Sequence, residues 1–270
     1  MITENNWITT NIQEKYANNA VDFQVNIIPY SYTKVDFETA CENTAHKIAN
    51  LGKPIFIAFS GGADSEYVVR IFNKLNIPFT AVTVATDGNR YELLYANRLY
   101  KEFPNIQKEF IDLTNQKEFL IKYSALVKSF NTGAINSISA LEVAKYAKER
   151  NGIMVAGDHL IGYTYDNQGV MKVGTSEWDH YYDVLVDNNL IVPFFYYDLP
   201  IAQAYVSNFN TMKIDNFKEY LYDTLYRPKF KIHFTGPKMN LIVYDINSTI
   251  IATGAKEVSW TKSEFLNLIG

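Results

Sequence analysis

Apolar and polar positions along the chain fall into two alternating rhythms. Ile55-Phe56-Ile57-Ala58-Phe59 is an unbroken apolar run of strand length, and such a run predicts a strand buried on both faces, as in a parallel sheet. After it, Val68, Val69, Phe72 and Leu75 recur at helical spacing, which predicts a helix running from Glu66 to Leu75. A helix over 36–50 precedes the strand, with Asp36 as its cap and Gly52 and Pro54 as its stop. The rhythm repeats downstream. A strand over 79–85 leads to a helix marked by Tyr91, Leu94, Tyr95 and Leu99. A strand over 107–113 leads to one marked by Phe119, Leu120, Tyr123, Leu126 and Val127, and a helix over 137–150 is followed by a strand over 153–156. Strands alternating with helices predict the α/β class with a doubly wound, mostly parallel sheet.

Outside this stretch the pattern changes. Residues 1–35 are polar, with short apolar runs such as Val25-Asn26-Ile27-Ile28 that read as one or two edge strands, an extension packed on the main sheet. Beyond Leu160 the regular alternation stops. Gln168-Gly169-Val170 suits a short hairpin, 176–186, 198–208 and 215–226 read as helices, 240–260 as a pair of strands around Asn247-Ser248, and Thr261 opens a last helix. The expected organisation is an N-terminal extension (1–35), an α/β core (36–160) and a mostly helical C-terminal region (161–270) packed on it within one domain.

The turn between the first core strand and its helix, Ser60-Gly61-Gly62-Ala63-Asp64-Ser65, carries the clearest chemistry. Adjacent glycines permit positive φ and let backbone N–H groups approach a ligand with no Cβ in the way. The following helix points its unsatisfied N–H groups and positive dipole end at the same place. Ser60 and Ser65 add hydroxyls. Asp64 carries the wrong charge to touch phosphate and makes sense with a Mg²⁺ ion between them. No Gly-Lys-Ser/Thr follows, so this is not a Walker loop, and the third glycine of a dinucleotide fingerprint is missing. In a doubly wound sheet ligands sit beyond the carboxyl ends of the strands, where residues 60–65, 85–90 and 157–159 would all lie.

Composition narrows the picture. The 270 residues are 47% hydrophobic and 20% charged, with a net charge of −4, which suits a folded globular protein and opposes a general nucleic-acid binder. Cys41 is the single cysteine, so there is neither an intramolecular disulfide nor a cysteine metal cluster, and its spacing with Phe37, Ala45 and Ile48 marks it as core filler. His159, His180 and His233 lack zinc-ligand spacing. His180, in Glu177-Trp178-Asp179-His180-Tyr181, reads as part of a packed aromatic face. No apolar leader and no run of about 18 apolar residues occurs, so a cytoplasmic protein with no membrane association is expected.

The segment Ser60-Gly61-Gly62-Ala63-Asp64-Ser65 resembles the signature of the PP-loop ATP pyrophosphatases, the adenine nucleotide alpha hydrolase-like group. Within that group, three later segments resemble, in the same order, the synthetase domain of asparagine synthetases. They are Val155-Ala156-Gly157-Asp158-His159-Leu160-Ile161-Gly162-Tyr163, Ile191-Val192-Pro193-Phe194-Phe195, and Tyr226-Arg227-Pro228-Lys229-Phe230. The family's acidic pair after the glycine is reduced here to Asp158.

The resemblance implies an ATP-dependent, AMP-forming ligase that adenylylates a carboxylate or carbonyl oxygen of a small-molecule acceptor, releases pyrophosphate and transfers an amine or ammonia. It implies ATP contacts from Ser60, Gly61, Gly62, Asp64, Ser65 and Gly157, and Mg²⁺ held by Asp64 and Asp158. Lys229 stabilises the leaving pyrophosphate, with Arg227 and Lys231 as neighbours. Analogy places adenine recognition on the backbone of Val82 to Ala85, with Val82 and Val84 as contacts. Residue 2 is Ile where a fused glutaminase would carry cysteine, so the nitrogen is expected from free ammonia, another protein or an amine. Two other readings stand beside this one. A PP-loop enzyme could act on a nucleobase in tRNA or DNA, with Lys213, Lys218, Arg227, Lys229 and Lys231 as a basic path, and the reduced acidic segment would suit a nucleotide-binding protein without catalysis. A homo-oligomer is compatible with all three.

Overall fold

The computed structural model describes residues 8–10, 25–28, 30–86, 92–114, 135–157, 162–165, 170–174, 191–209, 219–221, 223–225, 258–261 and 267. At its centre is a five-stranded, all-parallel sheet built from β3 (Ile55–Ala58), β4 (Thr80–Thr86), β5 (Gln107–Leu113), β6 (Ile153–Ala156) and β9 (Ile191–Pro193). Their spatial order is β5-β4-β3-β6-β9. The order runs outward from β3 in one direction and from β6 in the other, so the sheet reverses between these two strands. That reversal is the topological switch point, where a crevice opens above the strand ends.

The expected alternation is present. Helix α1 (Phe37–Ala49) starts where Asp36 caps it, the carboxylate accepting from the Thr39 backbone N–H at 2.9 Å. The chain then turns through Gly52 at φ +65° into β3. Helices α2 (Ala63–Lys74), α3 (Glu92–Glu102) and α4 (Ile135–Glu149) follow β3, β4 and β5 in turn. Side-chain alternation assigns the faces. Phe56 and Glu109 meet Tyr146 of α4, edge-on at 5.4 Å and by a hydrogen bond at 3.3 Å. Phe59 and Phe110 meet Tyr100 of α3 on the other face. Helices on both faces complete the doubly wound arrangement.

Two features were not in the sequence expectation. The parallel sheet gains a fifth strand at Ile191–Pro193, because Val192 and its neighbours extend beside β6 before Pro193 ends the pairing. The runs near the N-terminus, β1 (Ile8–Thr10) and β2 (Val25–Ile27), pair antiparallel with each other rather than as edges of the main sheet. In the C-terminal region the anticipated hairpin forms from β7 (Gly162–Tyr165) and β8 (Val170–Gly174), and β10 (Val258–Thr261) joins β8 to make a three-stranded antiparallel sheet. Thr261, expected to open a helix, is the last residue of β10. Helix α5 (Leu199–Asn208) matches the expected 198–208. The expected helices around 119–127 and 176–186, and the turn at Asn247-Ser248, lie outside the described residues.

Aromatic rings join α1, α2 and α5 into one layer. Phe37, the first residue of α1, lies 5.1 to 6.2 Å from the rings of Tyr67, Phe195, Tyr205, Phe209 and Tyr220. Cys41, one turn further along α1, is fully buried, and burial holds its thiol well above the usual range, as expected of core filler. Buried Asp198 before α5 accepts from the Tyr30 hydroxyl and the Lys47 ammonium, tying the approach to α1, α1 itself and α5 together. Truncating Phe37 removes the common neighbour of five rings. Phe37→Ala is therefore expected to lower unfolding free energy by about 3–5 kcal/mol, read as a reduced midpoint in urea denaturation, with Phe37→Leu losing clearly less.

Candidate functional site

The turn after β3 sits at the switch point. The strand's hydrogen bonding runs up to its edge, where the Phe59 N–H donates to the Val82 carbonyl at 2.9 Å. The Phe59 carbonyl accepts from the Thr83 hydroxyl at 2.8 Å, and the Tyr100 hydroxyl lies 2.9 Å from the same Thr83 oxygen. Thr83 has one proton, so it donates to Phe59 and accepts from Tyr100. Burial pushes Tyr100 up to about 12. The last peptide before the turn is thus fixed from the neighbouring strand and from α3.

Gly61 then takes φ +87°, in the left-handed region. A Cβ there would lie 2.1 Å from the Glu92 carbonyl oxygen and 3.2 Å from the Ala96 nitrogen, so the first turn of α3 rests directly on this backbone. Gly62 has extended dihedrals and is the N-cap of α2, with no side chain capping it. The Glu66 N–H bonds the Gly62 carbonyl at 3.0 Å as the first α2 rung. The serines brace the turn from within. The Gly62 N–H donates to Ser60 Oγ at 3.0 Å, Ser65 Oγ donates to the Gly62 carbonyl at 3.1 Å, and the two hydroxyls lie 3.3 Å apart. On the other flank, a Cβ on Gly157 would meet the Ser65 nitrogen and Cα at 3.0 Å, so the end of β6 packs tightly against the start of α2.

The structure brings Ser60, Gly61, Gly62, Asp64, Ser65 and Gly157 to one place. Asp64 is half-buried. Tyr205 of α5 is held above the usual tyrosine range first by burial and then by the Asp64 carboxylate. One carboxylate beside phosphate suits Mg²⁺, which keeps several waters and takes few protein ligands. Among the described residues no group of three or more His, Cys, Asp or Glu could hold a metal by itself. Val82 is buried with its carbonyl committed to Phe59, and Val84 is buried and paired with Ile111 of β5. Asp158, Lys229 and their neighbours Arg227 and Lys231 lie outside the described residues.

Three residues not singled out from the sequence hold this geometry. Arg70 on α2 bonds buried Glu66 at 2.9 Å and grips both oxygens of Glu102 on α3 at 2.8 and 2.7 Å, with Phe103 beneath its guanidinium. Burial works against the Arg70 charge, and the bonds to Glu102 and Glu66 outweigh it. The i, i+4 spacing of Glu66 and Arg70 was the legible signal for half of this clamp. Glu102, 32 positions away from Arg70, had none.

Fold and site together define a class: a doubly wound α/β protein with a glycine-containing strand–turn–helix at its switch point. No protein-family model matches the chain, and no curated protein matches it. Among solved structures it is similar to an NMN synthetase from Francisella tularensis, at 23% identity and a TM-score of 0.38, over 48% of this chain and 56% of that one. An NAD+ synthetase from Burkholderia pseudomallei gives 18% identity and 0.35, over 47% and 54%. An NH3-dependent NAD synthetase from Campylobacter jejuni gives 18% and 0.39, over 79% and 91%. The similarity thus spans about half the length of the first two structures. Among the described residues no helix is long and apolar enough to cross a membrane.

Two glycines separate backbone strain from steric exclusion. Gly52 and Gly61 both have positive φ, but a Cβ on Gly52 meets nothing within 4 Å. Gly52→Ala is expected to cost about 1–2 kcal/mol from strain alone, and Gly61→Ala distinctly more, in parallel thermal melts. The Arg70 clamp carries a pH signature. The Arg70 bonds lower the Glu102 carboxyl, so its stabilisation is complete above the ordinary glutamate range, about 4.3, and is lost as pH falls through the lowered folded value. Arg70→Met should therefore cost about 3 kcal/mol at neutral pH, where buried Glu66 loses its ion pair with Arg70. The gap to the parent protein should narrow in denaturation curves below about pH 4.3.

Proposed function

We propose that this chain is an ATP-dependent, AMP-forming ligase of the PP-loop type that makes a carbon–nitrogen bond. The observation that carries this reading is the strand–turn–helix at 59–66, where glycine backbone and an uncapped helix start face the crevice beside Asp64. Such a turn suits the β- and γ-phosphates, because N–H dipoles already aimed at the anion need no reorganisation when charge grows on a departing pyrophosphate.

The chemistry follows from that grip. An oxygen of the acceptor carboxylate or carbonyl attacks the α-phosphorus, and the bond from phosphorus to the bridging oxygen breaks. Pyrophosphate leaves with the electron pair, held by the backbone of residues 60–65 and, from the sequence motif, by Lys229. The amine nitrogen of ammonia or an amine then attacks the activated carbon, the carbon–oxygen bond to AMP breaks, and the nitrogen gives up a proton. Mg²⁺, where bound, neutralises phosphate charge, with Asp64 and Asp158 as its protein ligands.

The test is pyrophosphate and AMP release from labelled ATP across a panel of carboxylate acceptors with ammonia. Asp64→Asn and Lys229→Ala are expected to lower turnover by roughly a hundredfold or more, with unchanged circular dichroism, and chelation of Mg²⁺ should abolish it. Undiminished release in both variants would overturn the role assignments.

A further inference from the structure

The length of α3 forms a second feature with β5. Strand β5 is paired only with β4 among the described residues. Its alternation sends Glu109 toward α4, where the Tyr146 hydroxyl donates to it, and sends Lys108 and Phe110 toward α3. Between α3 and this face of β5 lies a hollow of about 650 Å³ lined by Leu94, Asn97, Arg98, Tyr100, Lys101 and Lys108. Leu94 is 67% exposed and Phe110 42%, two of the three large hydrophobic side chains exposed among the described residues. Both fall on this one surface.

The charge here opposes that of the whole protein. Arg98, Lys101 and Lys108 ring the hollow and no carboxylate lines it, in a chain of net charge −4. The acid next along α3, Glu102, is gripped through both oxygens by Arg70. An apolar floor with a cationic rim is a surface for something apolar and acidic at once.

We propose that this hollow docks an acidic, amphipathic segment of a partner protein. An apolar side chain of the segment enters the hollow beside Leu94, and its carboxylates meet Arg98, Lys101 and Lys108. Charge decides against the other occupants. A second copy docked by the same face would set two rings of three cations against each other. Single-stranded nucleic acid stacks successive bases on a series of exposed aromatic faces, whereas here Tyr100 is buried with Lys108 5.3 Å over its ring, and of this aromatic pair Phe110 alone is exposed. The rest of the protein's negative surface would also repel a long polyanion.

The test is fluorescence anisotropy of the full chain with a short labelled peptide of alternating Glu and Leu, against a Lys-Leu peptide and single-stranded poly-U as counter-probes. The Glu-Leu peptide is expected to bind, to weaken as salt is raised, and to lose at least about tenfold in affinity for the Arg98→Glu/Lys101→Glu variant. Leu94→Ser should weaken it several-fold. Both variants should keep the parent's thermal midpoint and ATP binding. Peptide affinity indifferent to the charge reversal would overturn the proposal, as would tighter binding of poly-U than of the peptide. So would sedimentation showing a dimer that Leu94→Ser dissolves.

Discussion

The structure depends on the close approach of backbone to backbone around the turn after β3. Gly61 carries the first turn of α3 against its Cα, with a carbonyl oxygen where a Cβ would be, and Gly157 brings the end of β6 against the start of α2 in the same manner. These contacts place the uncapped N-terminus of α2 between its two flanking elements at the point where strand order reverses. The helix's positive dipole end and the switch point therefore coincide. Thr83 and Tyr100 close the arrangement from below by satisfying the Phe59 carbonyl.

Such packing holds only if the helices cannot slide, and two unlike devices prevent it. On one side Phe37 and its ring neighbours knit α1, α2 and α5 through apolar contact, which is insensitive to salt and pH. On the other, Arg70 joins α2 to α3 through paired carboxylates, a directional contact that fixes register along the helices. The buried Glu66 end of that clamp gives it consequence, since a carboxylate removed from water needs its partner.

Much of this was legible before any coordinates. The run at 55–58, the Asp36 cap, the strand at 107–113 and the glycine pair each follow from a short local rule, and each lies where that rule places it. What local rules missed was set by distant partners. β9 has three residues and a terminal proline, too short for a periodic signal, and it is a strand because β6 lies beside it. Tyr205 reads as one more aromatic on a helix, and only folding brings it within reach of the Asp64 charge. Thr261 went the other way, a residue with a helix-start pattern drawn into pairing with Val170. The sequence motif at 60–65 announced phosphate chemistry, but the contact of Glu92 with Gly61 that holds it has no signature at either position.

A turn shaped by close contacts between main chains has a consequence for inheritance. Where side chains do the binding, descent is recorded in the letters that must be kept. Here the requirement at 61 and 157 is for an absence, room for a neighbouring main chain, and much of what surrounds them need only be the right size and polarity. Much of the chain can therefore change in sequence while the turn keeps its shape.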